Sequence, residues 1–597
     1  MSHSLITQHL DLWTGAVTRK PNGRGRQPAN GQAGGQYELT GIQKLRELIL
    51  ELAVQGKLVP QDPNDEPASE LLKRIEEEKQ RLADEGKIKK PKKLPEVTED
   101  EKPFEVPEGW EWTRLGIIAQ INPRNNVGEE IEASFIPMPL ITDSYKGEHE
   151  QEIRKWSDIK KGYTHFAEGD IGLAKITPCF ENGKAAIFKH LKNGIGAGTT
   201  ELHVARPYNE TIEPLFILLC LKSPGFLQEG EQKMTGSAGQ KRVPKQFFSE
   251  NPLPLPPLPE QHRIAQKVDE LMALCDRLEQ QTADQLAAHE TLVDTLLDTL
   301  TRSADAAELA ENWSRLEAHF DTLFTTEQSI DRLKETILQL AVMGKLVPQD
   351  PNDEPASELV QRLANERQKW LEDNSDSDSE CKTMLKKLKR LKSPKPPFYL
   401  PFNWTTAHLI QLSRLLVDCH NKTAPYTTDG IPIIRTSNIR NRRFQLDDLK
   451  FVSEETYQYW SRRCPPQPGD IIFTREAPMG EAAIIPEGAK WCLGQRTMLI
   501  RPMNGYIDKE YLLIALTEPH LLERASEKAI GSTVKHLRVG DVEKLSIPVP
   551  PLEEQHRIVQ KVDELMALCD RLKARLAEAG ELRVQLAEVV VEKTERK

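Results

Sequence analysis

The sequence predicts an α+β protein built as an internal repeat. Two mixed α/β domains are expected, joined by long helices that form an antiparallel coiled coil about a pseudo-twofold axis. Three observations predict it. "KLVPQDPNDEPASE" occupies residues 57–70 and recurs letter for letter at 345–358. "PPLPEQHRIAQKVDELMALCDRL" from Pro256 recurs as "PPLEEQHRIVQKVDELMALCDRL" from Pro550. Ile264, Val268, Leu271, Cys275 and Leu278 step by four, three, four and three, as do Ile558, Val562, Leu565, Cys569, Leu572 and Leu576. That step is the heptad seam of a helix that pairs with another.

The repeat runs the length of the chain. "HLDLW" at His9 faintly matches "HFDTL" at His319, an offset of 310 residues. The offset falls to 288 at "LRELILELAVQG" and "LKETILQLAVMG", and rises to 294 at the heptad helices. The changes locate linkers. "PNGRGRQPANGQAGGQ" reads as a Gly/Gln-rich flexible tether. "DEGKIKKPKKLPEVTEDEKP" and its longer partner "DNSDSDSECKTMLKKLKRLKSPKPP" read as charge-rich, Pro-broken linkers. In the repeated fourteen residues, Gly56 ends a helix, Pro-Asn-Asp makes a turn, and Ser69 caps "ELLKRIEEEKQRL". "PLPPLPEQ" sets the start of the heptad helix, since proline is tolerated only in a first turn. Running from Glu260 to Leu300, that helix would be about 60 Å long.

These boundaries give six segments: a helical frame with flexible linkers (1–106), a first variable domain (107–257), a central helical spacer (258–345), a second frame with a charged linker (346–400), a second variable domain (401–551) and a C-terminal coiled-coil helix (552–597). The flanks are nearly identical between copies, while the interiors share scattered landmarks. "VPEGW" faces "LPFNW", "SFIPMPLITDS" faces "DGIPIIRTSNI", "EGDIGLAKITP" faces "PGDIIFTREAP", and "GSAGQKRVPKQFF" faces "GSTVKHLRVGDVE". Strands are expected at 431–434, 470–473, 482–485 and 497–500, and a helix over "KEYLLIALTEPHLLERASEKA". Identical frames suit one kind of partner met twice, and unlike interiors suit two different targets. The exposed polar character of the repeated fourteen residues points to docking rather than core packing.

Composition narrows the function. The chain is 38% hydrophobic and 29% charged, and no run approaches the ~18–20 apolar residues that span a bilayer. The N-terminal "MSHSLITQHLDLWTGAVTRK" lacks signal-peptide order, so a cytoplasmic protein without membrane partners is expected. The eight cysteines form no CxxC pair and read as reduced structural thiols. A net charge of −11 is the wrong sign for a generic nucleic-acid binder, yet a local basic face outweighs the total. No [ND]-P-P-[YF] methylase motif, phosphate loop or His-Glu-x-x-His site is present. "KPPF" at 395–398 carries a cation where the amino-holding residue belongs, and "GSAGQK" has the wrong glycine spacing. A non-enzyme that binds no cofactor or metal is expected.

Two variable domains, each opening with P-x-x-W and closing with P-L-P-P-L-x-E-Q-x-x-I or its near copy and followed by a heptad helix, resemble the specificity subunit of type I restriction-modification enzymes. The "LAVQGKLVPQDPNDEPASELL" frame is similar to the enterobacterial branch of that family. The resemblance covers nearly the whole chain. It implies that each variable domain is a target-recognition domain reading one half of a bipartite, asymmetric site in double-stranded DNA. The helices would set the gap between halves. Two modification (methyltransferase) subunits using S-adenosylmethionine would dock on the frames, and restriction/translocase subunits using ATP and Mg would join them. A coiled-coil scaffold with two globular modules and no DNA readout is the alternative, and a self-sufficient methylase or nuclease is a third class.

Candidate DNA-binding residues follow from side-chain chemistry. Arg bonds guanine in pairs and Asn does so for adenine. "RTSNIRNRR" supplies Arg435, Ser437, Asn438, Arg440, Asn441, Arg442 and Arg443 beside an expected strand. Arg475, Lys535, His536 and Arg538 come next, with Gly531 and Ser532 as a helix start facing a phosphate. The matching positions of the first domain are Thr142, Asp143 and Ser144; Lys175 and Thr177; and Gln240, Lys241, Arg242 and Lys245. "LITDS" lacks the arginines of its partner, which suits two domains reading different bases.

Overall fold

The computed structural model describes residues 9–19, 37–88, 93–208, 211–237, 239–304, 306–420, 422–476, 478–527 and 536–595. The glycine-rich tether at 21–36, Gly531, Ser532 and Lys535 lie outside the described residues. The chain forms two compact units, one of residues 1–287 with 578–597 and the other of residues 288–577.

In the first unit, helix α1 (Thr40–Val54) ends at Gln55, and Gly56 takes the left-handed conformation (φ 69°) that closes the helix. No other residue fits there, because a Cβ would lie 2.5 Å from Pro107. Helix α2 (Ala68–Asp84) follows the repeated turn. The cap expected at Ser69 is not made, since the helix starts two residues earlier than that cap requires. Pro67 is its N-cap residue, without a side-chain cap bond, and the Ala68 amide donates to the Gly109 carbonyl at 2.8 Å. A four-stranded antiparallel sheet has the order Ala119–Ile121, Leu202–Pro207, Ile171–Ala174, Ala185–Ile187. A second sheet runs Glu152–Lys155, Glu132–Ile136, Ile195–Gly198, Thr164–Ala167, with its middle pair parallel. Helix α3 (Pro214–Lys222) is buried on nearly every face and packs on Ala185–Ile187. Pro252–Leu255 returns to pair with Glu111–Arg114, and α4 (Leu258–Arg302) begins there, 45 residues or about 68 Å long.

The second unit repeats this with α5 (Glu327–Val342), α6 (Ala356–Asn374), α8 (Lys509–Thr517) and α9 (Leu552–Glu595), and α7 (Ser379–Leu388) has no counterpart among the first unit's described residues. Its four-stranded sheet has the same antiparallel order, Ser413–Asp418, Thr497–Pro502, Ile471–Thr474, Ala482–Ile484. Lys450–Val452, Ile431–Ile434 and Cys492–Leu493 form the other, again with one parallel pair. The four expected strands are all present, within two residues at each end. The expected helix over 509–529 breaks at Glu518–Pro519 into Lys509–Thr517 and Pro519–Glu527, because proline supplies no amide to continue it.

The seam residues Ile264, Val268, Leu271 and Cys275 are buried in the first unit's core, together with Ala587 and Val591 from the far end of α9. In the second unit, Ile558, Val562 and Cys569 share a core with Val293, Leu297 and Leu300 from the far end of α4. Residues 258–287 of α4 belong to the first unit and 288–302 to the second, while residues 552–577 of α9 belong to the second and 578–595 to the first. Each buried Leu, Ile or Val contributes about 1.5–3 kcal/mol.

Both linkers are more ordered than their composition suggests. Residues 379–388 form α7, where the Asp378 side chain accepts from the Glu380 amide and Cys381 and Met384 are buried one turn apart. In the first copy, Arg114 pins the linker by donating to the carbonyls of Pro95 (2.9 Å) and Glu96 (3.1 Å) and to Glu101 (2.7 Å). No described helix is long and apolar enough to cross a membrane. All eight cysteines are free thiols, seven of them buried.

Candidate nucleic-acid interface

The two motifs that open and close each interior meet in space. Trp110 donates its indole N–H to Glu260 Oε2 at 3.0 Å, and Gln61 of the repeated turn donates to Glu260 Oε1 at 3.1 Å. In the second copy Trp404 and Gln349 hold Glu554 at the same two distances. Arg263 pairs with Asp65 and Arg557 with Asp353, each at 2.6 Å. Gln261 and Gln555 accept the amides of Glu213 (3.0 Å) and Asp508 (2.8 Å). Burial pushes the Glu260 and Glu554 carboxyls above their ordinary range, and the Gln and Trp donors oppose that push. Much of the letter-for-letter identity is therefore an internal clamp. Pro60, Asp62, Pro63, Asn64, Glu66 and Pro67, with their second-copy partners, are exposed.

The "GDI" landmark of each interior is a second shared device. Gly169 and Gly469 turn the chain at φ 81° and 88°. Asp170 is 1% exposed and receives Arg206 (2.7 Å to Oδ2), and Asp470 receives Arg501 at the same distance. These buried pairs fix the strands whose opposite ends carry the candidate contacts.

At that end in the first unit, the amide of Lys175 donates to the Glu201 carbonyl (2.9 Å), and the Lys175 carbonyl accepts the amide of Val243 (2.8 Å). Arg242 is bound to Glu201 through two bonds of 2.8 and 2.9 Å. Gln240, Lys241 and Lys245 are exposed beside it and Lys175 is half-buried. Behind them His203 is buried, donating its Nε2–H to the Val243 carbonyl (3.0 Å). Burial and then the neighbouring Lys175 and Lys245 hold its pKa down to about 4. Lys175 and Lys245 thus share one patch.

In the second unit, Arg475 donates its amide to the Arg496 carbonyl and accepts the Leu537 amide, both at 2.9 Å. Leu537 therefore stands where Val243 does, one residue away from the register expected between the two "GS" strings, and Arg242 corresponds to His536. Arg475 is only 4% exposed and donates to the Leu537 carbonyl at 3.0 Å, so it anchors the arm. Arg538 is exposed and His536 half-buried. Arg496, absent from the sequence-based candidates, pairs with Glu476 at 2.8 Å and holds a left-handed backbone (φ 67°). Its place opposite Glu201 was the available signal, but it appears only once the strands are paired.

The "RTSNIRNRR" run is largely internal. Asn438 is 2% exposed and uses both donors and its acceptor within the loop, accepting from Arg435 and donating to the carbonyls of Gln445 and Asp448. It has nothing left to offer a base. Arg435 donates to the Asp448 carbonyl and carboxylate, and Arg440 to the Thr436 carbonyl. Asn441 and Arg442 form the tip of a two-residue hairpin, both at positive φ. Arg443 lies 3.8 Å from Asp570 of α9. Burial lowers the Arg442 pKa, opposed by the charges of Asp563 and Glu510. Ser437 is exposed. In the first unit the same role falls to an uncharged residue. Tyr145 faces Asp269, the repeat partner of Asp563, and its hydroxyl pKa is raised by burial and then by that carboxylate. Thr142 and Asp143 are exposed and Ser144 half-buried, with the Thr142 hydroxyl on the Glu148 carbonyl and the Asp143 carbonyl receiving Lys222. Thr177 is half-buried with its hydroxyl on Glu181.

Comparison with known proteins shows the family of the chain. The family described as "Type I restriction modification DNA specificity domain" matches residues 107–288 and 418–579, more than half of the chain. The chain belongs to that family. It is 48% identical over 595 residues to the type I restriction enzyme EcoAI specificity subunit of Escherichia coli, covering 98% of each chain. It is 45% identical over 605 residues to the EcoEI specificity subunit, again covering 98% of each. Among solved structures it resembles the HsdS subunit of Thermoanaerobacter tengcongensis, with 19% identity, a TM-score of 0.40, and coverage of 83% of this chain and 98% of that one. As a type I specificity subunit of the enterobacterial kind, the chain is a recognition rather than a catalytic component, and a scaffold without DNA readout is set aside.

Proposed function

We propose that each variable domain reads one half of a bipartite DNA site, at the strand end where its exposed and half-buried polar residues gather. In the first domain these are Lys175, Gln240, Lys241 and Lys245, with Arg242 available if it leaves Glu201. In the second they are Arg496, His536, Arg538 and, at the neighbouring loop, Ser437. The exposed residues of the identical turns at 57–70 and 345–358 dock two copies of one modification subunit, which uses S-adenosylmethionine on adenine. Restriction subunits using ATP and Mg complete the complex in the cytoplasm, and this chain binds no cofactor of its own. Domain boundaries at 107–257 and 401–551 fit this division.

The observation that supports the reading is the pairing of superposable clamps, down to equal hydrogen-bond lengths, with strand-end clusters of different charge. Like frames suit like partners, and unlike ends suit unlike half-sites. The test is exchange of residues 107–257 for the corresponding domain of another family member, followed by methylome sequencing of a host expressing the chain with its modification subunit. Only one half of the methylated sequence is expected to change. A change in both halves, or in neither, overturns the proposal.

A further inference from the structure

The stretches leading into the two interiors carry opposite charge. Residues 93–108, "KLPEVTEDEKPFEVPE", hold Lys93 and Lys102 against six acids. Residues 386–402, "KKLKRLKSPKPPFYLPF", hold Lys386, Lys387, Lys389, Arg390, Lys392 and Lys395 and no acid. Aligned on Pro107 and Pro401, the exposed Glu105 and Glu108 of the first copy stand where the second copy has Tyr399 and Phe402. Those two rings are 95% and 99% exposed.

This strip is held, not loose. The Lys392 carbonyl meets His408 Nε2 at 3.1 Å, and the Lys395 carbonyl accepts from the Ser546 hydroxyl at 2.8 Å. The Arg524 guanidinium lies 5.9 Å from the Phe398 ring centre. Lys395, Arg524 and Lys544 line one pocket of about 190 Å3 together with Leu537, the residue between His536 and Arg538. The strip is therefore continuous with the candidate contacts of the second unit. Among the described residues, Lys387 alone of the six cations is in an ion pair, with Glu543. The helix dipole accounts for cations in the last turn of α7, but Lys389 to Lys395 lie beyond it. Exposed cations without acids, interleaved with exposed rings, fit a nucleic-acid backbone: the cations neutralise phosphates and the rings pack on sugars or bases without regard to sequence.

We propose that residues 386–402 are a sequence-independent DNA contact of the second unit, gripping the duplex that flanks its half-site, with no counterpart in the first. The proposal rests on the DNA-specificity reading above. It is tested on the full chain assembled with its modification subunits, bound to a duplex carrying the methylated site and flanks on both sides, at 50 and 200 mM salt. The combined variant Lys389→Gln, Arg390→Gln, Lys392→Gln, Lys395→Gln is expected to lose about three phosphate contacts, each worth about 0.9 in the log–log salt slope. Between the two salts, wild-type affinity then falls about 40-fold further than that of the variant, with half-site preference unchanged. Trimming the flank beside the second half-site removes the difference, and trimming the other flank does not. Tyr399→Glu with Phe402→Glu, which restores the first copy's residues, is expected to weaken binding about tenfold. Equal slopes in a complex that still selects its site overturn the proposal. So does loss of subunit assembly with unchanged slopes, which assigns the strip to a protein partner. A wild-type complex that does not select any site overturns the specificity reading itself.

Discussion

Glu201 and Arg496 stand at the same place in the two recognition domains, and they carry opposite charge. Around them the backbone bonds are the same: the residue at the strand end donates its amide to each, at 2.9 Å. In the first domain the acid takes Arg242, and in the second the arginine takes Glu476. The scaffold is constant while the polarity of its edge is inverted. The groups shared by the two domains face inward, and the unlike ones lie at the strand ends. The same division holds at the frame helices, where Asp269 and Asp563 are identical but one faces Tyr145 and the other Arg442.

The comparison is sharpened by breaking shared groups first and unlike groups last. Trp110→Ala and Trp404→Ala each empty a core site and strip Glu260 or Glu554 of a donor. Each should remove about 4 kcal/mol from its own unit, and chemical denaturation followed by limited proteolysis will show whether the two losses are equal. Asp170→Asn and Asp470→Asn leave a half-buried arginine without its charge partner, at about 2 kcal/mol each. A loss confined to one unit would show that the two landmarks are not equivalent.

His203 has no such twin, since the paired position in the second unit is the buried Met498. The unfolded chain takes up a proton near the ordinary 6.5, and the folded first unit only near 4. The stability contributed by this group is therefore complete above pH 6.5. It is lost as the pH falls from 6.5 to 4, by about 3 kcal/mol. His203→Met should flatten the acid limb of the first unit's stability curve and leave the second unit's unchanged, as read by domain-resolved denaturation at pH 7.5 and 4.5. The smallest effect on stability is expected from Glu201→Gln and Glu476→Gln, which free exposed arginines. Unfolding midpoints should stay in place while salt-dependent DNA affinity rises, and each variant should alter preference in its own half-site only.

The repeat, the heptad seam and the strands were legible in the sequence, because periodicity and self-similarity are local properties. The reason for the identical residues was not. Gln61 and Glu260 are 199 positions apart, and only folding shows them as one clamp. Within "RTSNIRNRR" the letters do not tell the buried Asn438 from the exposed Arg443, because that depends on partners such as Asp448 and Gln445. The one-residue shift that pairs Val243 with Leu537 is likewise a property of backbone pairing and not of letter matching.

By itself the sequence determined that one unit is used twice, with heptad helices at its borders and no catalytic motif. Those features arise from the hydrophobic period of single segments, which neighbouring residues decide among themselves. The tertiary structure alone decided which identical residues hold each unit together and which unlike ones reach the surface. Hydrogen bonds and buried charge pairs form between residues far apart in the chain.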